Sequence, residues 1–312
     1  MFRTLRAAAF CAAVTAAAGQ AFADDSAYPN AHLLTSTAEL AALMEGNAQD
    51  DAKGGPSTLR IVDVRSREAF AGGHVPGAIN IPFTALTDPH AHVRGALKSD
   101  DALAALFGAN GIDATSHIVL YDDQGGFRAA RLFWLLEYYG HRTVSLLDGG
   151  IDAWVRGGGD LQTPSTTKTA DVAARPAEAK PTTFAVNLTP RRHASADLIM
   201  GRRNDANTVV IDVRPTKMYE AGHIPWADSI PWKGSLSDDG TIAPKTALMA
   251  YFASHGVTPD RAIIVHCETG EASAHTYFVL RLLGFSDVRT YHRSWAEWGA
   301  SDDLPKAVAQ NH

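Results

Sequence analysis

Two stretches of this chain repeat each other in register. IVDVRSREAFAGGHVPGAINIP (61–82) is answered by VIDVRPTKMYEAGHIPWADSIP (210–231), with Asp63 on Asp212, His74 on His223 and Pro82 on Pro231, each pair 149 residues apart. A second pair follows. HIVLYDDQGGFRAARLFWLLEYYGHRTVSLLDGGIDAW (117–154) parallels AIIVHCETGEASAHTYFVLRLLGFSDVRTYHRSWAEW (262–298). A repeat of this length is a whole domain, not a solenoid unit. The chain must therefore build two similar domains from one pattern.

Each copy alternates strand and helix signals. Residues 59–64 and 208–213 are short β-branched runs. Residues 118–121 and 263–266 form a second set, 144–147 and 288–291 a third. Between the last two sets lie helical segments, 127–139 and 272–283, each apolar on one face. Apolar strands separated by helices predict a parallel sheet. The expected fold class is α/β, with two like domains, each a parallel sheet with helices on both faces. Residues 161–188 contain a Thr, Ala, Pro and Lys-rich stretch without periodicity and read as a linker. The first domain then spans 24–160, the second 189–305, and 306–312 form a tail.

The start, MFRTLRAAAFCAAVTAAAGQAFADDS, has basic Arg3 and Arg6, an apolar run over 7–18, and Ala21-Phe22-Ala23. That three-part layout predicts a cleavable signal peptide, residues 1–23, and a periplasmic or secreted protein with no membrane anchor after cleavage. An anchor helix is the alternative, but the stretch is short and mostly alanine. Apolar residues make up 46% and charged residues 20%, as in a soluble globular chain. Losing Arg3 and Arg6 takes the net charge from −6 to −8, which argues against a nucleic-acid partner. Cys11 leaves with the signal. Cys267 is then the single cysteine, in a compartment that oxidises thiols. Such a thiol is intermolecular, reactive, or buried and inert.

Its position narrows the choice. Ligands of an open parallel sheet bind beyond the carboxyl ends of the strands, and Cys267 directly follows the strand 263–266. The loop after it, Glu268-Thr269-Gly270-Glu271-Ala272-Ser273, enters a helix. A loop of that length can aim successive backbone N–H groups at one point, with the helix N-terminus behind it, and such a nest stabilises an anion. A thiolate placed there is a nucleophile. On the residues alone, an inert buried thiol fits equally well.

Taken together, IVDVR…GGHVPGAINIP, VIDVR…AGHIPWADSIP, the Cys267-Glu268-Thr269-Gly270 loop, SLLDGGIDAW and YHRSWAEWG resemble the tandem two-domain rhodanese-type sulfurtransferases over roughly residues 33–305. The resemblance implies that the second domain is catalytic. Asp122 stands where the first copy would need a cysteine, and a carboxylate carries no sulfane sulfur. It further implies that Cys267 attacks the outer sulfur of thiosulfate or 3-mercaptopyruvate, forms a persulfide, and passes the sulfur to cyanide, a thiol or a protein, with no metal or organic cofactor. Residues 268–273 would cradle the outer sulfur. Cysteine phosphatases share the His-Cys loop shape but need an arginine six residues on, where Ser273 stands. A sulfane-sulfur carrier with little turnover is the alternative function, and a silent scaffold the third.

Two departures stand out. Relatives carry basic residues, or Gly-Ser-Gly, after the cysteine; here Glu268 and Glu271 are expected either to repel a dianionic donor or to point harmlessly to water. Where the first copy has Asp148-Gly149, the second has His292-Arg293. The expectation is that Arg214, His292 and Arg293 supply the missing positive charge at the sheet edge. Asp63 and Asp212 are expected to brace turns, His74 and His223 to sit hydrogen-bonded in theirs.

Overall fold

In the computed structural model of the chain, residues 27–53, 58–163 and 180–308 are described. The signal segment and the middle of the expected linker lie outside them.

The first domain carries a five-stranded parallel sheet built from β1 (Leu34–Thr35), β2 (Leu59–Asp63), β3 (Ile79–Asn80), β4 (His117–Tyr121) and β5 (Val144–Leu147), in the order β1-β5-β4-β2-β3. The second carries β6 (Thr208–Asp212), β7 (Ala227–Ser229), β8 (Ala262–His266) and β9 (Val288–Thr290), in the order β7-β6-β8-β9. Every strand pairing is parallel. The apolar strands are buried because helices cover both faces, as their composition requires. Register sets the working edge. Asp212 lies opposite His266, and Val265 opposite Thr290, so β6, β8 and β9 end together. The residues after them, Arg214, Cys267 and His292-Arg293, therefore share one rim.

Two helices join the domains. α4 (Ala129–Tyr138) follows β4 in the first copy, and α9 (Glu271–Leu282) follows β8 in the second. The sequence predicts one apolar face for each, yet both are buried on nearly every side. They pack on each other as well as on their own sheets, which removes the solvent face a covering helix normally keeps. Phe133 meets Phe278 edge-on at 5.0 Å between ring centroids. Glu137 of α4 accepts from the Tyr277 hydroxyl at 2.5 Å and pairs with Arg281 at 3.2 Å. The apolar core runs without a break from one domain into the other. Part of the expected linker also packs: Phe184 is buried against Phe107, and the Asn187 N–H donates to the Tyr139 carbonyl.

Candidate active site

Cys267 follows the central strand β8 and is 2% exposed. Its Sγ accepts the Gly270 N–H at 3.0 Å. Its own N–H donates to Ser294 Oγ at 3.0 Å. The hydroxyls of Ser273 and Ser294 lie 3.7 and 3.8 Å from the sulfur. Each has a nearer acceptor, Gly270 O at 3.1 Å and Tyr291 O at 2.8 Å, which fixes where the hydroxyl points. Ser294 has φ 56, the left-handed region, where the first copy has Gly150 at φ 58. Holding a non-glycine residue there costs energy, and what the side chain gains is the bond to the Cys267 N–H.

The first copy shows what this loop architecture can do. Asp122, in the place of Cys267, accepts four backbone N–H groups: Gln124 at 2.8 Å and Gly126 at 2.9 Å on one oxygen, Arg128 at 2.7 Å and Ala129 at 3.0 Å on the other. A strand–loop–helix turn of this kind is a nest for an anion. In the first copy a permanent carboxylate fills it. In the second a sulfur takes that place.

The two loop glutamates do not point idly to water. Glu271 is buried, and its Oε1 meets Arg131 at 3.1 Å while Thr269 Oγ1 donates to Oε2 at 2.6 Å. Arg131 belongs to α4 of the first domain. Fully buried, it also donates to the carbonyls of Thr269 and Gly95. Burial pulls its guanidinium below the ordinary value, while the negative charge of Glu271 opposes that. Gly270, at φ 106, has no room for a side chain: a Cβ would fall 2.6 Å from both Arg131 Nη1 and the His292 carbonyl. Glu268 lies between Arg214 Nη1 at 3.3 Å and Arg94 Nη2 at 2.7 Å. Ala272 and Ser273 are buried in the first turn of α9.

Arg214 stands at the rim as expected, but it is not free to grip a ligand alone. It forks onto Asp212 at 3.0 and 2.7 Å, donates to Gly222 O at 2.6 Å, and lies 4.7 Å over the Trp295 ring. Asp212 also accepts the Arg214 N–H at 3.0 Å, the bracing role foreseen for it, and Asp63 does the same for Arg65. His74 and His223 stack on Phe70 and Tyr219 and bond their carbonyls.

His292 departs from the expectation of relocated charge. The His292 ring packs between those of Trp134 and His193, with ring centroids at 5.3 and 5.2 Å. Burial, then the neighbouring His193, Arg131 and Arg293, pushes it well below the usual histidine value, so it adds no cation. Arg293 is half exposed and pairs with Glu297 at 2.8 Å. It lines a cleft of about 470 Å³ between the domains with Lys98, Tyr138 and His193. The cations that pair with the loop glutamates are Arg214 and, unforeseen, Arg131 and Arg94. Arg131 and Arg94 lie in the first domain, more than 130 residues away in sequence. The pattern FRAARLFW placed Arg131 in a helical segment, but nothing in the sequence showed which face would meet the other domain.

A family profile described as "Rhodanese-like domain" matches residues 36–156 and 195–301. The chain belongs to the rhodanese-like family and carries two copies of its domain. It is 31% identical over 257 residues to a thiosulfate sulfurtransferase of Azotobacter vinelandii, covering 79% of this chain and 90% of that one. It is 33% identical over 266 residues to the sulfur carrier protein TtuD of Thermus thermophilus, covering 76% and 86%. Among solved structures, an anaerobic ergothioneine biosynthesis enzyme of Chlorobium limicola matches with a TM-score of 0.75 at 20% identity, over 91% of this chain and 72% of that one. At that identity the likeness speaks to the fold.

Proposed function

We propose that this chain is a sulfurtransferase that carries a sulfane sulfur on Cys267. The observation that carries the reading is the Cys267 sulfur, held by the Gly270 N–H at 3.0 Å in the loop whose counterpart holds the Asp122 carboxylate through four N–H groups. The thiolate attacks the terminal sulfur of a donor. An Sγ–S bond forms, the donor's S–S or C–S bond breaks, and the remainder leaves with the electron pair. Thiosulfate would release sulfite, and 3-mercaptopyruvate would release pyruvate once its carbon takes up a proton. A thiol or cyanide then attacks the outer persulfide sulfur and Cys267 leaves as thiolate. No net oxidation occurs. The backbone nest stabilises the anionic sulfur, as an oxyanion hole does an oxygen. We further infer export, on the layout of residues 1–23, so the acceptor would be met outside the cytoplasm.

The test is turnover. With thiosulfate or 3-mercaptopyruvate and cyanide, the mature chain should release thiocyanate over many cycles, and Cys267→Ser should release none. One second reading has its own support. Cys267 is nearly buried, and the arginines beside it are already paired, which suits a carrier loaded by a protein or persulfide donor. A carrier would hold one sulfur on Cys267 and release thiocyanate once.

A further inference from the structure

The charges around the Cys267 loop are balanced by the protein itself. Arg214 holds Asp212 and Glu268, Arg94 holds Glu268, and Arg131 holds Glu271. Arg131 is sealed in the domain interface and the Arg214 side chain is 3% exposed, so Arg94 is the arginine of this network that an arriving donor meets first, with Arg214 behind Glu268. Arg94 and Arg214 share one carboxylate, that of Glu268. Its side chain is 27% exposed and that of Arg94 71%, so this part of the network faces solvent. Thiosulfate arrives with two negative charges next to the sulfur under attack. To reach the arginines it must displace Glu268 or lie against it, and two anions at contact distance repel.

We propose that Glu268 determines donor specificity: its carboxylate, held between Arg214 and Arg94, disfavours dianionic donors and favours sulfane donors that carry one net negative charge or an ammonium group. The inference rests on the sulfurtransferase reading of Cys267. Specificity here comes from a repulsive element built into the loop, not from a missing cation. A neutral residue at 268 would leave Arg94 open to any anion, with the buried Arg214 behind it.

Two donors separate charge from chemistry. Thiosulfate carries two charges and benzenethiosulfonate one. In both, the Cys267 thiolate attacks the terminal sulfur, an Sγ–S bond forms and the donor's S–S bond breaks. Sulfite leaves from one and benzenesulfinate from the other, each with the electron pair. Neither step needs an oxidant or reductant.

The experiment measures kcat/KM of the mature chain for both donors, with cyanide as acceptor, in the parent, Glu268→Gln and Arg94→Gln. Glu268→Gln should raise the ratio of thiosulfate to benzenethiosulfonate by about tenfold, chiefly through KM for thiosulfate. Arg94→Gln, at an exposed position, should move the ratio the other way by a smaller factor. Both shifts should shrink as salt rises. A ratio unchanged by Glu268→Gln, in a protein that transfers sulfur from either donor, overturns this inference and leaves the sulfurtransferase reading intact. No sulfur on Cys267 from any donor overturns both.

Discussion

Arg131 of the first domain reaches Glu271 of the second at 3.1 Å, inside the interface and against the loop that holds Cys267. The domain that lacks a cysteine thus supplies the buried cation beneath the Cys267 loop of the other. Its own nest, closed around Asp122, fixes the start of the helix that carries Arg131, because the Ala129 N–H is one of the four that Asp122 accepts. The first copy is a structural support for the second.

Removing Arg131 should therefore be costly. Arg131→Met leaves Glu271 buried without its cation and frees two carbonyls, Thr269 O and Gly95 O. The expected loss is about 3–5 kcal/mol in urea unfolding, and Arg131→Met with Glu271→Gln should recover part of it. Arg131→Lys should fall between, since an ammonium cannot fork to the same partners. Equal losses in the single and double variants would deny that the pair is coupled.

Asp122 offers a test of the support role at a distance. Asp122→Ala orphans four backbone N–H groups and should cost about 3 kcal/mol or more. Asp122→Asn keeps one acceptor oxygen and should cost less. Alkylation of Cys267 at a temperature where the variant stays folded should also change in rate, because α4 carries Arg131. A destabilised variant with an unaltered alkylation rate would separate the two loops.

Ser294 holds the Cys267 N–H from a left-handed backbone. Ser294→Ala keeps the strain and leaves that buried N–H unpaired, a loss of about 1–3 kcal/mol with slower loading of Cys267. Ser294→Gly removes the strain as well and should be the more stable of the two. Thermal melting of both variants checks the order.

His275 makes stability depend on pH. It is fully buried on α9, its ring bonded to Gly125 O at 3.1 Å, and burial lowers it from 6.5 to about 4. Between those values the unfolded chain binds a proton that the folded chain does not. Stability should therefore fall as pH drops from 6.5 toward 4 and level off below, the share from His275 being on the order of 3 kcal/mol. Melting curves across that range should be flatter for His275→Gln, which can still donate to the carbonyl.

The repeat made the fold legible. Register between the copies, apolar strands and intervening helices led directly to two parallel sheets, and the strand–Cys267–helix order put the sulfur at the correct rim. The place of Asp122 was legible too, because the repeat aligns it with Cys267 and the structure puts it in the matching loop. Arg131 and Arg94 were not. Their role comes from how the domains dock, and docking buries α4 and α9 on nearly every side, which segments read as apolar on one face do not disclose. His292 misled for a related reason. A histidine at a sheet edge reads as a cation until Trp134 and His193 are seen to enclose it.

The central claim is that Cys267 takes up and gives away one sulfane sulfur. Intact-mass measurement of the mature chain, after exposure in turn to thiosulfate, 3-mercaptopyruvate, benzenethiosulfonate and a low-molecular-weight persulfide, tests it directly. The account predicts the gain of one sulfur atom from at least one donor, located on Cys267, removed by cyanide, and absent in Cys267→Ser. A mass unchanged by every donor, or a gain that persists in Cys267→Ser, would contradict it.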